Sequence, residues 1–216
     1  MLALWGRFVV PFLHGLTVTV EITGAALVLA ITVGALLAGC RLSRFRTLRL
    51  VATLYIEAFR ATPVLVLLFI AYYGLGQVGF RLSGYWAATL TLGTFFGSLF
   101  AEIFRGGFQG VDLGQHEAAE ALAMGRWLRL RKIVLPQAFL AILLPSTNTV
   151  ANIIKTTSLV VTIGVADLMS QANAAASATF EPMDMYVLAG LMYLAVYLLI
   201  SRVLGRWELH VQRRYR

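Results

Sequence analysis

Three groups of residues in the 216-residue sequence have types and spacings that could do chemistry. Gly74-Leu-Gly76-Gln-Val-Gly79 has the Gly-x-Gly-x-x-Gly form of a pyrophosphate-binding turn, and Glu102 follows roughly 20 residues on, where such a site holds the ribose. That site needs a strand before the glycines and a helix N-terminus after them. Here an apolar, membrane-length run opened by Pro63 precedes them, so a nucleotide site is rejected. The second group, His14, His116 and His210, has no metal-ligand spacing. Each is expected at a surface or interface. Every Asp lies in a connection without a paired His, so no metal centre, Ser-His-Asp set or other enzymatic chemistry is expected. The third group is Asn148, Asn152 and Lys155, at i, i+4 and i+7, one face of a helix. Pro145 begins that face and frees a backbone carbonyl. Such polar groups line a solute path, or the amides bind neighbouring helices while Lys155 snorkels to the interface. The spacing leaves both readings open.

The elements that must carry these residues follow from composition. Hydrophobic residues make up 59% and charged residues only 13%, with a formal net charge of +8. Soluble domains carry about a quarter charged residues, and disorder needs low hydrophobicity, so both are excluded. About 20 apolar residues cross a bilayer, and such runs fall at 16–39, 61–79, 85–101, 137–154 and 186–201. We expect an all-α integral membrane protein of five transmembrane helices in one domain, 1–216. The first apolar run starts after residue 15, lacks an Ala-x-Ala cleavage site and is expected to stay as a span. Fourteen of the 18 Lys and Arg lie in three segments: Arg41–Arg49, Arg105–Lys132 and Arg202–Arg216. Alternation of basic and non-basic connections puts the N-terminus outside and the C-terminus inside, and argues against nucleic acid as the partner of the basic excess. Cys40 excludes an internal disulfide and is expected to be a small buried side chain. Ala26, Ala30, Gly34 and Ala38, and Gly93-x-x-x-Gly97, predict close helix packing.

The connection 105–136 is not loop-like throughout. Asp112-Leu-Gly-Gln115 resembles a capping box, with Asp112 accepting backbone N–H groups and Gln115 reaching back. A short helix is predicted over 115–124, with Gly125 stopping it and Pro136 breaking one helix and starting the next. Its alanine surface suits close docking into a groove on another protein. A helix lying in lipid headgroups beside a basic patch fits equally.

Glu117-Ala118-Ala119 followed by Ile133-x-Leu135-Pro136 resembles the cytoplasmic loop of ATP-binding cassette importer permeases. The family's glycine, six residues after the Glu, is Ala123 here, with Gly125 two residues later. Glu57-Ala-Phe-Arg60-Ala-Thr62-Pro63, Ala101-Glu102-Ile-Phe-Arg105-Gly106-Gly107, Leu144-Pro145-Ser-Thr-Asn148 and Lys155-Thr156-Thr157-Ser158-Leu159 are similar to further blocks of the polar amino-acid uptake branch. The resemblance implies a cytoplasmic coupling helix that docks on an ATPase subunit through Glu117, Ala118, Ala119, Ala123, Gly125, Ile133, Leu135 and Pro136. It implies two such ATPases, which hold ATP and Mg, as this chain has no P-loop. A second permease subunit (a copy or a relative), an extracytoplasmic amino-acid-binding protein, membrane lipid and an inner-membrane location complete the expectation. Asn148, Asn152, Lys155, Thr156, Thr157 and Ser158 are the candidate substrate path. Thr156 stands where relatives often carry an acid, which faintly favours an unequal permease pair. Glu57 with Arg60 and Glu102 with Arg105 are expected as structural ion pairs, and Glu21 has no assignable partner. A subunit driven by an ion gradient would want inverted repeats and paired intramembrane acids. A non-transporting anchor would not explain the polar face.

Overall fold

A computed structural model describes residues 2–214, with side chains for 5–207. His210 and, of the expected basic tail, Arg213, Arg214 and Arg216 therefore lie outside the residues whose side chains are described. The described chain is helical, with no strand: α1 (Leu2–Leu42), α2 (Arg46–Ala61), α3 (Val64–Gln77), α4 (Gly84–Gln109), α5 (Leu113–Ala121), α6 (Arg126–Ile163), α7 (Leu168–Thr179) and α8 (Pro182–Arg214). Four of these, α1, α4, α6 and α8, are long and apolar enough to cross a membrane. Where the fifth span is expected, α2 and α3 are apolar and long enough only when taken together. Pro63 has no N–H and drives Thr62 into an extended conformation (φ −96°, ψ 130°), so α2 and α3 meet at 104°. The apolar run 61–79 is thus α3 alone, and α2 is an amphipathic helix in what the sequence presents as a connection. Its Ala52 and Ile56 are buried, and Tyr55 reaches the Thr94 carbonyl of α4 at 3.4 Å.

The α1/α4 pair forms the centre. Ala26, Ala30 and Ala38 are buried, and a Cβ on Gly34 would lie 2.5 Å from Phe100 Cβ. A Cβ on Gly97 would reach Val33 Cγ1 at 2.7 Å. Lipid supplies no hydrophobic drive between helices, so this close approach gains dispersion contact that larger residues would forbid. Phe96, Phe100, Leu68, Ile153 and Val160 fill the space around the pair.

A second core forms where α7, also unforeseen, packs between α1 and α8 through Leu168, Ala172, Ala175, Phe12, Met185 and Ala189. Asp167 caps α7, accepting from Ser170 N at 2.9 Å, and Tyr193 donates to its other oxygen at 3.3 Å. The Leu168 N–H donates to Thr19 Oγ1 at 3.1 Å. Asp167 is fully buried, and that burial raises its carboxyl pKa above the ordinary carboxylate range, although the capping N–H groups act the other way. Cys40 is half-buried rather than buried.

Candidate coupling helix and polar transport face

α5 begins at Asp112, whose Oδ1 accepts from Gly114 N at 2.7 Å. The reciprocal arm of the expected capping box is not formed. Gln115 instead accepts from Gln137 Nε2 of α6 at 3.3 Å. The helix stops at Ala121, and Gly125 does not stop it. Ala123 adopts φ 51°, and the Met124 N–H donates back to the Ala119 carbonyl (3.0 Å) and Ala123 N to Glu120 O (2.9 Å). This is the paired capping arrangement that normally places glycine in the left-handed position. Ala123 thus adopts the backbone state that favours glycine, at about 1–2 kcal/mol of steric strain. Gly125, extended at φ −60°, ψ 150°, starts α6 and accepts from Arg129 N at 3.0 Å.

Pro136 lies in the first turn of the regular stretch Leu135–Thr156, which the π-turn Leu130–Val134 joins to Arg126–Arg129 as one helix, so it starts a regular stretch without separating two helices. Glu117, Ala118, Ala123, Gly125 and Leu135 are exposed, Ile133 and Pro136 partly buried, and Ala119 buried. Exposed Leu113, Leu122 and Trp127 flank this surface. Sequence reasoning passed over them, although an apolar residue beside a charged helix is a visible signal. His116 is half-buried beside Glu117.

Asn148, Asn152 and Lys155 all lie on one exposed face of α6. The Lys155 ammonium sits over the Tyr197 ring of α8, 4.8 Å from its centroid, a partner that the sequence did not suggest. Thr156 is partly buried and donates to the Asn152 carbonyl at 2.8 Å. Thr157 is fully buried with its hydroxyl on Ile154 O, which removes it from the exposed face. Ser158 is partly buried and donates to Lys155 O at 2.7 Å.

Glu102 receives Arg105 Nη2 at 2.6 Å and Nε at 3.0 Å, with Arg41 Nη2 at 3.5 Å. Glu57 and Arg60 form no ion pair among the described residues. Both lie on the exposed side of α2, where holding two long side chains together gains little. Glu21 is exposed on α1 and likewise unpaired among the described residues. The Gly74–Gly79 motif is structural. Gly79, at φ 93°, ends α3, with Phe80 N donating to Leu75 O at 3.0 Å. No group of three or more His, Cys, Asp or Glu suited to a metal occurs among the described residues.

A family model described as "Binding-protein-dependent transport system inner membrane component" matches residues 30–216. The "Arginine transport system permease protein ArtQ" of Bacillus subtilis (strain 168) is 34% identical over 194 residues, 89% of each chain. The "Octopine transport system permease protein OccM" of Rhizobium radiobacter is 35% identical over 222 residues, 98% of this chain and 90% of that one. The crystal structure of an amino acid ABC transporter with histidines superposes at a TM-score of 0.90 and 32% identity, covering 95% of this chain and 96% of the other. An inward-facing MetNI methionine ABC transporter structure, at TM-score 0.69 and 19% identity, shares the fold.

Proposed function

The chain belongs to the family of inner membrane components of binding-protein-dependent transport systems, and from that premise we propose how its residues divide the work of import. It is an amino-acid-type ABC permease subunit of the inner membrane, and ATP hydrolysis resides on separate subunits. We assign the cargo to a polar amino acid or a relative such as an opine, by analogy with the arginine and octopine permeases. Two permease subunits, two ATPases holding ATP and Mg, and one extracytoplasmic binding protein make up the assembly. The Arg and Lys distribution supports an N-terminus outside and a C-terminus inside.

Two surfaces support this division. The polar face of α6, with Asn148, Asn152 and Lys155, is exposed in the single chain, as is Glu21 on α1. Such groups are costly to face lipid, and we assign a second permease subunit to cover them and enclose the path. The observation that carries the coupling role is α5 itself, an exposed helix tied by the Gln115–Gln137 bond to the base of the helix bearing that face. ATP binding would draw the two ATPases together and move α5 with them, and the Gln115–Gln137 and Glu120–Arg129 contacts would pass the motion into α6. The ATPase binds one state of the permease more tightly, and that difference shifts the access equilibrium.

Glu117→Lys tests the reading. The variant is expected in the membrane at wild-type level, hydrolysing ATP without uptake. Wild-type uptake per ATP in that variant would reject the coupling role of α5.

A further inference from the structure

A pocket of about 440 Å3 lies at the end of α3, lined by Tyr72, Tyr73, Gly76, Gln77, Arg81 and Leu82. Two backbone irregularities build it. The π-turn Ile70–Gly74 interrupts α3 along the pocket wall, where the rings of Tyr72 and Tyr73 lie edge to face with centroids 4.9 Å apart, as neighbouring rings also do in α4. π-turns of this kind occur often at functional sites. The left-handed turn at Gly79 then folds the chain back, so that Arg81 lines the same pocket as Gly76 and Gln77.

Arg81 offers a donor-only guanidinium fork, while the Gln77 amide and the two phenols can each donate or accept. Arg81 makes no ion pair among the described residues, and no acid lines the pocket. A planar carboxylate is the ligand such a fork matches. The Tyr73 hydroxyl reaches toward the Thr162 carbonyl at 3.5 Å, at the end of α6, the helix that also carries Lys155, Asn152 and Asn148.

We propose that this pocket is an entry subsite that receives the carboxylate of the transported solute, with Arg81 as its main ligand. The assignment rests on the import reading above, in which this end of α3 faces outward. The pocket is open and half polar, with Tyr73, Gln77 and Arg81 exposed, so a solute could reach it from outside. The α6 face would then take the solute onward.

The test uses the complete transporter in proteoliposomes with liganded binding protein in excess. The probe is whichever of L-arginine, L-glutamine and octopine the wild type imports. Arg81→Gln is expected to lower uptake and weaken equilibrium binding of the probe to the permease–ATPase complex, each by about tenfold or more. ATPase stimulation by the liganded binding protein should keep its concentration dependence. Arg81→Lys, which keeps charge without the fork, should recover part of the loss. Wild-type uptake and binding in Arg81→Gln overturn the subsite. So does a loss that tracks a higher binding-protein requirement for ATPase stimulation, which would move Arg81 to the docking surface. A wild-type complex that imports none of the three probes sinks the import reading and the subsite with it.

Discussion

Gln137, in the first turns of the long helix α6, donates its side-chain amide to Gln115 of the surface helix α5 at 3.3 Å. Among the described residues this bond and the looser Glu120–Arg129 pair at 3.9 Å are the side-chain polar links between the two helices. A hydrogen bond of this kind is worth about 1 kcal/mol net. Gln115→Ala and Gln137→Ala are each expected to raise the ATP hydrolysed per solute imported by about fivefold, the ratio matching that energy. The double variant should be no worse than either single one. Uptake and hydrolysis measured together in proteoliposomes check this, and additive single effects would show that the two side chains act separately.

Ala123 leads to the second expectation. Its φ of 51° is imposed by the bonds that close α5, from Met124 N to Ala119 O and Ala123 N to Glu120 O. Glycine takes this conformation without a Cβ clash, although it also loosens the unfolded chain. Ala123→Gly should therefore stabilise the turn by about 1 kcal/mol at most, and Ala123→Val should destabilise it by more. Hydrogen exchange at the Met124 amide reads this directly. Slower exchange is expected in the glycine variant and faster exchange in the valine variant; the reverse order would mean the turn is not held by those bonds.

The α1/α4 contact supplies a paired test within one helix. A Cβ at Gly34 would lie 2.5 Å from Phe100 Cβ, whereas a Cβ at Gly24 meets nothing within 4 Å. Gly34→Ala is expected to lower stability by about 1–3 kcal/mol through overpacking. Gly24→Ala should hold or slightly raise stability, because glycine is a poor helix former. Melting temperatures of the two purified variants decide it, and equal temperatures would place the α1/α4 spacing elsewhere than at Gly34.

How far the sequence could be read differs from element to element. The small-residue face of α1 and Gly93–Gly97 on α4 were legible because one local periodicity determines both burial and packing. α2 was not, because Arg44, Arg46 and Arg49 served to orient the chain, while Ala52, Tyr55, Ile56 and Phe59 already marked the buried side of an amphipathic helix. The end of α5 was displaced because Gly125 carries the better local signal. Only the hydrogen bonds to Ala119 and Glu120 select Ala123. Pro136 was legible in part, since it opens a regular stretch of α6, but the π-turn ending at Val134 keeps that stretch joined to the residues before it. On the polar face, the i, i+4, i+7 spacing placed Asn148, Asn152 and Lys155 together, but it could not supply Tyr197 from another helix. Nor could it turn Thr157 inward, which follows from the tighter helix beginning at that residue. The burial of Asp167, an acid in a connection, was not legible because it depends on Tyr193 and on the neighbourhood of Thr19, whose bond to Leu168 spans 149 residues.

That buried carboxyl gives the last prediction, a dependence of stability on pH. Burial raises the Asp167 pKa, and the N–H groups of Ser170 and Met169 and the Tyr193 hydroxyl offset this only in part. An unfolded Asp ionises near a pH of about 3.9. The folded carboxyl holds its proton to higher pH, so the unfolded chain binds fewer protons between the two values. Stability from this residue is therefore full below the unfolded pKa and falls as pH rises through the folded one. Asp167→Asn keeps an acceptor for the cap of α7 and cannot ionise. It should show a melting temperature equal to or above wild type at pH 7, with the difference closing toward pH 4. Asp167→Ala removes the cap and should lose about 1 kcal/mol across the range. Tryptophan fluorescence melts of the three proteins from pH 4 to 8 separate the terms. A wild-type protein that gains stability relative to Asp167→Asn as pH rises would mean that the cap and the Tyr193 bond outweigh burial.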